Sequence, residues 1–275
     1  MIKREQYMSR IRPFIGSELV KVMTGIRRSG KSVMLELVKD ELVESGVDSA
    51  NFISINFEDM RYGHLLNAQA LHDHVMELAG QLSGKVYLFF DEIQEVAAWE
   101  RCINSFRVAL DCDIYITGSN AKLLSGELAT YLGGRYVEFV IYPFSFGEFM
   151  ELYRTVEPEA TDAKCFQKYL LSGGMPYLAN LRYEDAPSRQ YLTDLFNSVQ
   201  LKDIVKRNKV RDVDLLERII AYVMANVGTT FSASSLVKFF RNEKRTVATE
   251  TILNYLRFCA DAFLLFQVKR QDLQG

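Results

Sequence analysis

The chain has 275 residues, 48% of them hydrophobic and 12% aromatic, with a formal net charge of −2. This suffices for a substantial core in one large domain or two smaller ones. No stretch of 18 clean apolar residues occurs, which argues against a membrane-spanning helix, and Met1-Ile2-Lys3-Arg4-Glu5 lacks the apolar segment of a signal peptide. Cys102, Cys112, Cys165 and Cys259 are scattered, with no C-x-x-C pair. Reduced thiols in a cytoplasmic protein are expected, without a zinc site. His72-Asp73-His74 is a poor metal pair, because residues i and i+2 face different sides of a helix. From Leu201 onward there are 13 Lys and Arg against 8 Asp and Glu, while the rest of the chain is acidic. A basic C-terminal part points toward a polyanionic partner.

Residues 4–14 read as a lead-in helix with Tyr7, Ile11 and Phe14 roughly on one face. Leu19–Thr24 is a short apolar, β-branched run that reads as a strand. Gly25-Ile26-Arg27-Arg28-Ser29-Gly30-Lys31-Ser32 then fits G-x-x-x-x-G-K-[ST], the phosphate-binding P-loop, and a helix from Val33 runs to Ser45-Gly46. Strand, glycine turn and helix are the context this motif needs. The glycines let the backbone wrap a phosphate with its N–H groups inward, and the helix N-terminus adds partial positive charge. The expected cradle is Gly25, Arg27, Arg28, Ser29, Gly30, Lys31, Ser32 and Val33. Lys31 is expected on the β- and γ-phosphates of ATP and Ser32 on Mg²⁺. Arg27 and Arg28 stand where many P-loops carry small or neutral residues. They face either a partner subunit or a carboxylate such as Glu58 or Asp59.

Residues 51–57 read as a strand ending in the acidic turn Glu58-Asp59, and 65–82 as a helix. Val86-Tyr87-Leu88-Phe89-Phe90 suits a central parallel strand buried on both faces. Asp91-Glu92 at its end suits Walker B: Asp91 for the Mg²⁺ shell, directly or through water, and Glu92 for orienting the attacking water. Residues 99–110 form a helix in which Trp99, Ile103 and Phe106 pack. Cys112–Thr117 is a strand ended by Gly118-Ser119-Asn120. A polar residue at this tip, beside Walker B, can read the γ-phosphate, the position called sensor 1 in such ATPases. Asn120 or Ser119 fills it, or caps the next helix over 121–132. Gly133-Gly134 closes that helix, and a strand over 136–142 follows. Arg135 is a candidate arginine finger for a γ-phosphate in its own chain or a neighbour's; the plainer alternative is a surface arginine.

From Ser145 strands give way to helices, over 145–153 and 162–171, and Gly173-Gly174-Met175-Pro176 makes a sharp turn. A helix over 185–199 and a basic connector over 201–209 follow. Three helical patterns then carry Val213, Leu216, Ile220 and Val223; Leu236, Phe239 and Phe240 after a Ser232 cap; and Ile252, Leu253, Leu256 and Cys259. Residues 262–270 read as a strand. Three short helices and a strand make a winged helix, whose third helix and wing would meet DNA. Lys238, Arg241, Lys244, Arg245, Lys269 and Arg270 would contact phosphates. Winged helices also serve as lids and protein docks. The expected fold is α/β: a P-loop parallel sheet flanked by helices (1–144), a helical lid and linker (145–205) and a winged-helix domain (206–275).

With these residues in hand, the chain resembles a prokaryotic family of AAA-type ATPases with a P-loop core, a winged helix and a C-terminal domain of nuclease-like fold. The resemblance rests on G-I-R-R-S-G-K-S at 25–32, F-F-D-E-I-Q at 89–94 followed by Trp99-Glu100, T-G-S-N at 117–120 and G-R at 134–135. It extends through P-F-S-F-G-E-F at 143–149 and G-G-M-P at 173–176. It implies an AAA+-like ATP-binding domain related to origin-recognition and signal-transduction ATPases, and it strengthens Arg135 as finger or sensor. The family continues beyond the wing, whereas this chain stops at Gly275 after one wing strand. A truncated chain, or a second wing strand supplied by another chain, is therefore expected.

Three functions compete. The first is a Mg²⁺-dependent ATPase acting on DNA or a DNA-bound protein, with homo-oligomer formation left open. The second is a switch that binds ATP or ADP with little turnover and docks a protein through its winged helix. The third, a small-molecule kinase, fits the acidic pair and the basic C-terminal part poorly.

Overall fold

The computed structural model describes residues 2–121 and 132–268. Most of the expected helix over 121–132, and Lys269 and Arg270, lie outside these residues. The chain divides into two compact units, Met1–Gln190 and Tyr191–Gly275, with the division inside a helix, Asp185–Ser198. Among the described residues, no helix is long and apolar enough to cross a membrane.

In the first unit, α1 (Glu5–Ile11) leads into β1 (Val20–Thr24), α2 (Lys31–Glu44), β2 (Phe52–Asn56), α3 (Ala68–Ala79), β3 (Val86–Asp91), α4 (Trp99–Ala109), β4 (Cys112–Gly118) and β5 (Tyr136–Val140). The strands form one five-stranded sheet in the order β2-β3-β4-β1-β5, with every pairing parallel. Parallel pairing requires crossovers, and the helices that make them cover both faces. The period-two alternation of the strands sorts the core accordingly. Leu88 and Phe90 face one way, with Ile114 and Ile116, and meet Leu71, Val75, Ile103 and Phe106 of α3 and α4. Phe89 and Tyr115 face the other way and meet Tyr7, Ile11, Met34 and Val38 of α1 and α2. Trp99 is buried in the first of these layers, as its helical spacing predicts.

The unit continues with α5 (Phe146–Val156) and α6 (Asp162–Ser172). Their starts follow from N-cap chemistry. Ser145 and Glu148 make a reciprocal capping box for α5, and the Thr161 side chain accepts from Lys164 N at α6. Between the helices, Phe149, Tyr153, Tyr169 and Tyr183 pack ring against ring.

The helix α7 (Asp185–Ser198) runs on as a π-helix over Val199–Lys206. The expected connector over 201–209 is therefore largely helical. Its basic composition masks buried Asp203 and Ile204, which continue the buried face of Val199 and Gln200. In the second unit follow α8 (Val213–Ala225), α9 (Ala233–Asn242) and α10 (Thr249–Asp261). Ser232 caps α9 as predicted, accepting from Ser235 N at 3.1 Å. The strand expected from 262 is not formed over 262–268. Phe263 instead adopts a left-handed conformation, φ 56°, and Leu264 N bonds back to Cys259 O, so the apolar run closes the end of α10.

Candidate functional site

The strand ends set the geometry. In a parallel sheet all C-terminal ends lie on one edge, where the following loops converge. Thr24 of β1 pairs with Gly118 of β4, and Phe90 of β3 with Ile116 of β4, so the P-loop, Asp91-Glu92 and Ser119-Asn120 emerge side by side. Gly25 has φ 143°, and a Cβ there would lie 2.2 Å from Ile141 O. Gly30 has φ 99° and precedes the first turn of α2, so both motif glycines meet a backbone requirement. Gly25→Ala is expected to cost about 2 kcal/mol or more through strain and collision, read as a shifted urea midpoint.

Lys31 is buried in the loop it belongs to. Its Nζ donates to Ile26 O at 3.2 Å and stands 3.7 Å from Glu92 Oε1. Asp91 is held on two sides: Asn56 Nδ2 donates to Oδ2 at 3.0 Å and the Thr117 hydroxyl donates to Oδ1. Burial pushes the Asp91 carboxyl above the usual range; hydrogen bonds from Thr117 and Ser32 oppose this, Glu92 adds to it and Lys31 counters it. A buried carboxylate whose charge is costly is a ready cation ligand. Glu92 adopts a left-handed conformation, φ 55°, its N–H bonds Thr117 Oγ1 at 2.9 Å, and its Oε2 accepts from Gln94. Such backbone strain in a non-glycine residue is held where the surroundings over-determine it.

Two hydroxyls at this edge, Ser29 Oγ and Ser119 Oγ, are fully buried with no partner among the described residues. Orphaned buried hydroxyls beside a buried lysine and a costly carboxylate fit a polar ligand with a cation. No three His, Cys, Asp or Glu side chains gather as a metal site among the described residues. A Mg²⁺ here would rest on Ser32 and Asp91 with phosphate oxygens, the usual economy of protein ligands for this ion. A cleft lined by Ser32, Glu36, Asn56 and Asp91 opens on that side.

Residues 17–150 match the AAA domain family, and residues 163–273 match a domain of unknown function (DUF8612). An uncharacterized protein of Haemophilus influenzae is 37% identical over 276 residues, covering 100% of this chain and 68% of that protein. The chain belongs to the family of that protein. An uncharacterized protein of Methanocaldococcus jannaschii is 31% identical over 260 residues, covering 90% of this chain and 56% of its own length. The chain thus spans about two thirds and just over half of these two relatives. Among solved structures, AMPPCP-bound DnaA from Aquifex aeolicus aligns over 93% of this chain and 87% of its own at 14% identity and a TM-score of 0.45.

Within this AAA-type P-loop domain, Asn120 is buried at the tip of β4 beside Ser119. Arg27 bonds Glu58 Oε1 at 3.1 Å, so of the carboxylates considered it takes Glu58, while Asp59 takes Arg61. Arg28 is exposed with φ 64°, and Val33 is exposed on the first turn of α2. Arg135 is not brought to the site of its own chain. Its carbonyl accepts from Val20 N at the start of β1, whereas the P-loop leaves the end of β1. Five residues of strand separate these points, about 16 Å. The own-chain finger is thereby corrected: Arg135 is an exposed residue on the opposite edge. Sequence reasoning gave no role to Asn56, Thr117 or Gln94. The signals were a polar residue closing β2 in register with Asp91, and a hydroxyl after the apolar stretch Ile114-Tyr115-Ile116 near the end of β4.

Proposed function

We propose that the chain is a Mg²⁺-dependent ATPase in which nucleotide binding and hydrolysis shift the helical parts that follow the AAA domain. The observation that carries this reading is the buried meeting of Lys31, Asp91 and Glu92 at one edge of the sheet. Lys31 supplies charge to the β- and γ-phosphates, the loop N–H groups cradle them, and Ser119 and Asn120 lie where a γ-phosphate is read. Glu92 orients the attacking water and accepts its proton. Asn56 and Thr117 hold the Asp91 carboxylate toward Ser32. A bound Mg²⁺, held by Ser32 and Asp91, supplies neutralisation of phosphate charge. Nucleotide entry draws Lys31 off Glu92 and frees that carboxylate for its role.

Turnover by the isolated chain is slow in this reading, because Arg135 stands at the far edge. Arg135 serves instead a nucleotide held by a neighbouring copy, which makes a homo-oligomer the faster form. We take 1–144 as the ATPase core, 145–205 as lid and linker, and 206–275 as a winged helix for DNA or a DNA-bound protein, in a cytoplasmic setting. Lys238, Arg241 and Lys244 are exposed on and after α9 and suit phosphate contacts. Arg245 is already engaged, 2.6 Å from Asp214. A second reading, a switch with little turnover, is favoured by the Lys31–Glu92 pairing and the distance of Arg135.

Steady-state ATP hydrolysis with and without duplex DNA tests the proposal. Lys31→Ala is expected to lower the rate about 100-fold or more; an unchanged rate would sink the ATPase reading. Measurable ADP binding without turnover would favour the switch. DNA binding is expected to weaken as salt rises, and salt-insensitive binding would exclude the phosphate contacts.

A further inference from the structure

We infer that Arg4 is a positioning residue that holds the P-loop in its phosphate-receiving shape and ties it to α5. This role rests on the nucleotide reading above and names the part of the chain that regulates that site. Arg4 lies just before α1 in a left-handed conformation, φ 46°, and its side chain is 2% exposed. A charge so deeply buried needs full pairing, and Arg4 has it. Its Nε donates to Glu148 Oε1 at 2.9 Å, Nη1 to Ser29 O at 3.0 Å and Nη2 to Tyr142 O at 2.9 Å. The guanidinium also stacks over the Tyr7 and Phe144 rings, 4.6 and 5.1 Å from their centroids.

The bond to Ser29 O matters most. The Ser29–Gly30 peptide is trans, so a carbonyl held toward Arg4 turns the Gly30 N–H the opposite way. Arg4 therefore fixes a peptide plane inside the motif whose N–H groups must face a phosphate. The remaining bonds anchor Arg4 elsewhere. Glu148 belongs to the capping box of α5, and its Oε2 also accepts from Ser145 N at 2.8 Å. Burial raises the Glu148 carboxyl, but the Arg4 bond and the Ser145 bonds outweigh it and hold it below the usual range. Phe144 N in turn bonds Gly174 O at 2.7 Å, and a Cβ on Gly174 would lie 2.1 Å from Phe144 O. Tyr142 N bonds the Tyr7 hydroxyl at 3.0 Å. The three motifs at 25–32, 143–149 and 173–176 are thus joined through one arginine and its neighbours. Any change in the Ser29–Gly30 peptide on phosphate binding is felt at Glu148, and any shift of α5 is felt at the P-loop.

The test uses the full chain with Arg4→Lys, which keeps the charge but loses the fork, and Glu148→Gln, which keeps the shape but loses the anchor's charge. In the absence of nucleotide, amide hydrogen exchange at 26–32 and 145–149 is expected to rise about tenfold in Arg4→Lys and less in Glu148→Gln, with the β3 amides unchanged. The dissociation constant for ADP is expected to rise about tenfold in Arg4→Lys, the worth of one or two charge-assisted hydrogen bonds. At saturating MgATP, kcat is expected to stay within about threefold, since Arg4 acts on binding rather than on the reacting atoms. Exchange at 26–32 equal to the parent's, or faster exchange spread evenly over β3, overturns the inference. If the parent binds no ADP, the nucleotide reading fails, and the exchange comparison still decides whether Arg4 shapes the loop. Should Arg4→Lys not fold, Glu148→Gln carries the same comparisons.

Discussion

Glu92→Gln is expected to reduce ATP hydrolysis about 100-fold or more while leaving nucleotide binding intact. The amide keeps the size of the carboxylate and an oxygen that can accept from Gln94, so the strained turn at φ 55° is preserved. It cannot accept a proton from water. It also loses the attraction for Lys31, which stands 3.7 Å from Glu92 Oε1. Lys31 is then more available to phosphates, and ADP affinity is expected to hold or to tighten. Single-turnover hydrolysis and ADP titration together check this. Equal hydrolysis would assign the base elsewhere, and weaker ADP binding would make Glu92 a structural brace for the loop. Lys31→Ala loses binding and turnover together, so the two variants separate the lysine's role from the glutamate's.

The parts of this site legible in the sequence are those written as local patterns. The P-loop is one continuous octapeptide, and β3 is apolar without a break from Val86 to Phe90 because both of its faces are covered. The supporting hydrogen bonds of Asp91 are not local, since Asn56 and Thr117 reach it only through strand register. Arg135 shows a limit that topology would have removed. It precedes its strand while the P-loop follows one, and in a parallel sheet these lie at opposite edges. The wing strand failed for another reason. Phe263-Leu264-Leu265-Phe266 has strand-like composition, but Phe263 closes α10 with a helix-ending bond. Arg4 carried no signal at all, because its four hydrogen-bond contacts come from segments 25 to 144 residues away.

Asp113→Ala is expected to destabilise the fold by about 3–5 kcal/mol, the cost of leaving a buried charge without its partner. Lys21 of β1 and Asp113 of β4 are both fully buried and bonded to each other. Lys21 Nζ also donates to Ser17 O at 3.0 Å, and Asp113 Oδ2 accepts from Gly16 N at 2.7 Å and the Tyr115 hydroxyl at 2.8 Å. One carboxylate thus satisfies the lysine, the tyrosine and the chain entering β1. Burial already pulls the Lys21 pKa down, against the pull of Asp113. Without Asp113 that depression deepens, and folding forces the lysine to release its proton. Between the lowered folded pKa and the ordinary lysine value, the unfolded chain binds the extra proton, so the variant's stability rises with pH through that window. Urea midpoints measured across it check the sign. Lys21→Met combined with Asp113→Leu removes both charges and is expected to recover much of the loss, because apolar replacement of a buried pair is often neutral or better. If the double variant is no more stable than Asp113→Ala, the cost lies with the Gly16 and Tyr115 bonds rather than with the stranded lysine. The pair belongs to the half of β1 away from the P-loop, so the folded fraction of each variant should bind ADP as the parent does.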